Sequence, residues 1–102
     1  SAELDAAAAA LEGRFVSYDA AREALTADIE SFNARADAGG FDSREQFDRE
    51  RSALLGRQDA LEAERLALND DVAAYNGKLE ELRELDAERA ALYAQLDARQ
   101  EP

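Results

Sequence analysis

Positions 4, 8, 11, 15, 18, 22, 25, 29, 32 and 36 alternate spacings of four and three, and all but Arg22 are apolar. Side chains at that spacing fall on one stripe of a helix, the a and d positions of a heptad lettered a to g. Leu4, Leu11, Tyr18, Leu25 and Phe32 are the d residues; Ala8, Phe15, Arg22, Ile29 and Ala36 are the a residues. The stripe predicts a helix over 2–38. A second stripe carries Phe47, Leu54, Leu61, Leu68, Tyr75 and Leu82 at d, with Arg51, Gln58, Arg65, Val72 and Leu79 at a. It predicts a helix over 43–100.

Ala38-Gly39-Gly40 separates the two stripes, and glycine enters the left-handed conformation that ends a helix without a Cβ penalty. A loop is expected over 39–42. Ser43 with Gln46 three residues on forms a capping box, in which each side chain satisfies a free backbone donor at the start of the second helix. Asp42 with Glu45 is the alternative cap.

The two stripes mirror one another. Pairing residues whose numbers sum to 83 sets Ala36 against Phe47, Ile29 against Leu54, Phe15 against Leu68, Leu11 against Val72 and Ala8 against Tyr75. The fold-back then lies between Phe41 and Asp42. Charges beside the seam select the same register, because g positions face each other across an antiparallel pair. Arg35 meets Glu50, Asp28 meets Arg57 and Arg14 meets Asp71. A slip of one heptad one way sets Asp28 against Glu50; a slip the other way sets Arg35 against Arg57 and Asp28 against Glu64. The predicted fold is all-α: a long antiparallel coiled-coil helical hairpin with a C-terminal helical extension, in a single domain over 1–102.

The partners differ in length. At 1.5 Å per residue the first helix spans roughly 54 Å and the second roughly 87 Å, so some 20 residues have no intrachain partner. These residues are not polar. Leu79, Leu82, Leu85, Leu92, Tyr93 and Leu96 form a stripe offset from the preceding seam, since 79, 82 and 85 follow at successive threes. A contiguous apolar surface is rarely left in water. Three outcomes are open: self-association through this end; a break at Asn76-Gly77 that folds a third helix back; or packing on further parts of a larger protein. A homodimer through the extension is the reading adopted. The interior glycines Gly13, Gly56 and Gly77 all fall at outward f positions, and Asn76-Gly77 is the candidate break.

Two polar seam residues stand out. Arg22, opposite Leu61, and Arg65, opposite Tyr18, occupy adjacent layers, while Asp19 and Glu62 precede them by three residues and face one another at e. A four-charge cluster of Asp19, Arg22, Glu62 and Arg65 that fixes register is expected. Arg51, opposite Phe32, is expected to lay its stem across that ring.

Composition narrows the function classes. The chain has 102 residues, 35% of them charged, a net charge of −12, and 24 alanines within its 46% hydrophobic fraction. Mean hydropathy is −0.56. Alanine favours helix and buries little. The acidic balance opposes nucleic acid and anionic membrane surfaces, and no stretch approaches the about 18 apolar residues of a membrane span. Histidine, cysteine, methionine and tryptophan are absent. A triad, a thiol nucleophile and a zinc site are thereby excluded, and no enzyme, metal or cofactor is expected. Asp70-Asp71 and Glu80-Glu81-Glu84 read as solvated helix faces, because a calcium site needs six to eight converging oxygens. The opening Ser-Ala-Glu fits a removed secretory leader as well as a tag scar. The compartment stays open, with an exported location favoured.

Phe32-Asn33-Ala34-Arg35 and Leu68-Asn69-Asp70-Asp71-Val72-Ala73-Ala74-Tyr75-Asn76 resemble helical segments that accompany matrixin-type zinc peptidase domains in some bacterial proteins. The resemblance covers about half the chain and implies an exported accessory or linker segment. That family's H-E-x-x-H is missing, so no peptidase role passes to any residue here. The long hairpin also resembles prefoldin arms, without their strand hairpins, which implies a holdase-type chaperone as an alternative. The function expected is structural: oligomerisation or docking of a partner protein.

Overall fold

The computed structural model describes residues 1–100 and the side chains of 1–98. It consists of two helices, α1 (Ala2–Asp37) and α2 (Arg44–Gln100), laid side by side in a rod of 91 × 19 × 15 Å. There is no strand among the described residues. The fold is the all-α helical hairpin that the heptads predict.

Each helix end has a local cause. Ser1 caps α1: its hydroxyl accepts from the Leu4 N–H at 3.2 Å, with acidic Glu3 and Asp5 in the first turn, where the helix dipole favours negative charge. At the other end Gly39 takes φ 68°. Its N–H donates to the Ala36 carbonyl at 3.3 Å, and the Gly40 N–H donates to the Arg35 carbonyl at 2.8 Å. These two bonds form a Schellman motif, which satisfies carbonyls that the helix leaves free. Ser43 caps α2 by accepting from the Gln46 N–H at 3.0 Å. The return bond differs from the expected box: Gln46 Oε1 accepts from the N–H of Asp42 at 2.6 Å, one residue before the cap. Three phenylalanines close this end. The rings of Phe32, Phe41 and Phe47 lie 5.1–5.2 Å apart, centroid to centroid, in all three pairings.

Burial follows the stripes. Leu68 is 1% exposed and Leu25 5%, while Leu4, Leu11, Tyr18, Ile29, Leu54, Leu61, Val72 and Tyr75 are half-buried. A two-helix seam covers each residue from one side only, so even Phe15, opposite Leu68, stays partly exposed. The three cross-helix pairs that select the register are all formed: Arg35 with Glu50 at 2.6 Å, Arg57 with Asp28 at 2.7 Å and Arg14 with Asp71 at 2.5 Å.

α2 runs unbroken through Asn76-Gly77, so no third helix folds back among the described residues. Glycine in a helix costs only about 1 kcal/mol against alanine. Tyr75, Leu79 and Leu82, on either side of Gly77, all remain half-buried on the seam, contacts that favour a continuous helix through that point.

Candidate protein-interaction surface

The seam ends where α1 begins. Ser1, whose number completes the sum of 83 with Leu82, caps α1, and α2 continues alone to Gln100. The six residues of the expected stripe therefore divide. Leu79 and Leu82 are half-buried within the hairpin. Leu85, Leu92, Tyr93 and Leu96 are 60%, 65%, 56% and 51% exposed, respectively. These apolar side chains recur on one helix stripe that α1 does not cover.

The stripe begins in a groove. Between the start of α1 and the facing turns of α2 lies an open cleft of about 480 Å³, lined by Leu4, Ala7, Leu11, Tyr75, Leu82 and Leu85 among others. Its alanines leave room for another chain to approach the backbone. Leu85 belongs to both groove and stripe, so the two adjoin, with Glu3, Arg14, Asp71, Lys78 and Glu81 also lining the groove. Past Leu85, Arg89 places its guanidinium 5.6 Å from the centroid of the Tyr93 ring. That position moves the cation to one edge of the stripe.

The expected four-charge cluster is not assembled. Arg65 forms a forked bond with Glu62, at 2.6 and 3.0 Å, and Arg22 pairs with Asp19 at 3.9 Å. Both pairs lie within one helix, at three-residue spacing, with exposed side chains. The cause is reach: an arginine stem long enough to carry its charge out of the seam avoids the desolvation that two facing cations would suffer. Within the Arg65–Glu62 pair, the hydrogen bond from Arg65 is the chief cause holding the Glu62 carboxyl below the ordinary range; desolvation opposes it, and the charge of the neighbouring cation adds to the lowering. Arg65 is raised by the same bond.

Two further features depart from the sequence reading. The guanidinium stacked at the turn belongs to Arg35, 4.3 Å from the Phe41 centroid, rather than to Arg51 over Phe32, because Phe32 packs against Phe41 and Phe47. Arg14 also reaches a second carboxylate, Glu64, at 3.3 Å. The signal for that fork was present: Glu64 and Asp71 are successive g positions, one heptad apart. Hydrogen bonds to Asp71 and Glu50 raise Arg14 and Arg35, respectively, above the ordinary arginine value.

Among the described residues no helix is long and apolar enough to cross a membrane, and no group of three or more acidic side chains is arranged to hold a metal ion. Fold and surface together define a class: an extended helical hairpin that presents one unpartnered amphipathic helix. No protein-family model, curated protein or solved structure matches the chain.

Proposed function

We propose that the chain is a structural interaction module: a rigid two-helix arm whose C-terminal extension joins it to a second polypeptide, in the first place another copy of itself. The supporting observation is the single-file exposure of Leu85, Leu92, Tyr93 and Leu96 on a continuous helix. Burying one such side chain is worth about 1.5–3 kcal/mol. With Leu25 and Leu68 the only buried apolar residues among those described, the hairpin has a small core of its own, so the surface it leaves open is a large part of what association can add.

Sedimentation equilibrium of the full chain tests this reading. A dimer at tens of micromolar is expected, with the triple variant Leu85→Ser, Leu92→Ser and Leu96→Ser reduced to a monomer of unchanged hairpin structure. A monomeric parent chain overturns it. If that monomer also suppresses aggregation of an unfolded client, the holdase reading takes its place.

A further inference from the structure

We propose that a basic amphipathic helix of a partner protein docks along one long side of the hairpin, its apolar face on Val16, Leu66 and Leu55 and its cations against the carboxylates around them. This surface is separate from the extension and does not depend on self-association.

The two long sides of the rod differ in charge. An antiparallel pair sets g against g along one side and e against e along the other, with the b positions flanking e. Over residues 5–80 the charged g positions divide evenly, four cations and four carboxylates. Every cross-helix ion pair among the described residues lies on that side: Arg14 with Glu64 and Asp71, Arg35 with Glu50, and Arg57 with Asp28. On the opposite side every charged b and e position over the same span is acidic, six on α1 and five on α2. Arg22 and Arg65 turn to Asp19 and Glu62 of their own helices. The arginines at a positions offset only part of the charge on this side, which therefore carries much of the chain's excess of carboxylates.

Apolar side chains open onto the same side. Val16 and Leu66 are at b, Leu55 is at e, and Phe15 is at a, the seam position that leans towards e. All four are exposed, Val16 by 64% and Leu66 by 51%. Val16 and Leu66 sum to 82, so they lie level with one another on neighbouring helices. Before Leu85 these four are the exposed large apolar residues of the chain, and none of them is on the g side.

Spacing selects a helix as the occupant. Leu55 and Leu66 are eleven residues apart, three turns and about 16 Å along the rod, and a helix lying alongside repeats its own apolar contacts at that interval. The two helices present no sheet edge with which an extended peptide could pair. Charge selects its composition. Glu12, Asp19 and Glu62 each lie within one turn of Val16 or Leu66, so cations beside the incoming apolar face meet carboxylates. A second copy is not matched in this way, because α1 and α2 each carry more carboxylates than cations. The occupant is a different polypeptide.

Fluorescence anisotropy with a labelled synthetic peptide of about 18 residues, leucine at three- and four-residue steps and lysine elsewhere, tests the proposal on the full chain. Measurements are made at about 0.1 M salt, where charges more than about 10 Å apart are screened. The parent chain is expected to bind the peptide, and a scrambled peptide of the same composition about ten-fold more weakly. Val16→Ser with Leu66→Ser keeps the charge and is expected to weaken binding about ten-fold. Glu12→Gln with Asp59→Asn keeps the apolar patch and is expected to weaken binding and flatten its salt dependence. The triple variant Leu85→Ser, Leu92→Ser and Leu96→Ser is expected to bind as the parent chain does, whatever its state in sedimentation, and circular dichroism checks that each variant keeps its helices. No binding by the parent chain, equal binding of the scrambled peptide, unchanged binding by either double variant, or loss of binding in the triple variant overturns the proposal. The self-association proposed above is read by sedimentation alone and is untouched by these outcomes.

Discussion

Arg35 and Glu50 are joined by two parallel hydrogen bonds across the hairpin, Nη1 to Oε1 at 2.6 Å and Nη2 to Oε2 at 3.1 Å. The same guanidinium lies over the Phe41 ring, so one residue ties α1, the turn and α2 together. Forked geometry of this kind fixes orientation as well as distance.

Exchange of the pair tests its part in register. Arg35→Glu alone and Glu50→Arg alone each set like charges face to face, and each is expected to lower the urea midpoint followed by circular dichroism. The double exchange is expected to recover most of the loss, short of full recovery because the cation over Phe41 is gone. Both single effects should shrink in 1 M salt, where screening acts within about 3 Å.

Leu68 and Leu66 are two residues apart and on different faces: the first is buried and the second half-exposed. Leu68→Ala is expected to cost about 2–5 kcal/mol, towards the lower part of that range because a two-helix seam can close on the gap. Leu66→Ala is expected to stay within about 0.5 kcal/mol of the parent chain. Denaturation at one fixed protein concentration gives both values.

Glycine-to-alanine changes should act with opposite sign at two sites. Gly39 has φ 68°, and alanine there is expected to destabilise by about 1–2 kcal/mol. At Gly77, inside α2, an added Cβ meets nothing within 4 Å. Alanine there is expected to stabilise by about 0.5–1 kcal/mol. Thermal denaturation of the two variants gives the signs directly.

Glu62 supplies a pH dependence. Its carboxyl is held below the ordinary value chiefly by its hydrogen bond to Arg65. A group depressed on folding adds stability that is complete above its unfolded pKa and is lost as pH falls through the lower, folded value. An NMR titration should therefore show Glu62 protonating at lower pH than an unpaired glutamate in the same chain. Arg65→Gln should move its midpoint upward, towards the ordinary value, with the hairpin intact.

The seam and the g-position pairs were legible because a two-helix hairpin obeys one period and one register. Once 83 is chosen from Phe15 against Leu68, Arg14 against Asp71 follows. Gly39 and Ser43 were legible because local chemistry decides them. Reach was not legible. Arg22 and Arg65 share the seam by number, yet their stems carry the charges away from it. Gln46 bonds to Asp42 instead of Ser43 because a side-chain amide chooses between neighbouring donors by loop geometry, which spacing does not encode. Gly77 looked like a break because local propensity counts against it, while the seam contacts that hold the helix together there are non-local. In the extension only the apolar pattern could be read, since the chain provides no second stripe to check it against.

Small-angle X-ray scattering combined with mass by light scattering tests the central claim most directly. One hairpin measures 91 Å along its axis, and two joined through their extensions form a markedly longer particle at twice the mass. A particle of dimer mass clearly longer than one hairpin is the expected result. Dimer mass at close to 91 Å, which means hairpins packed side by side, or monomer mass at every concentration reached, would contradict it.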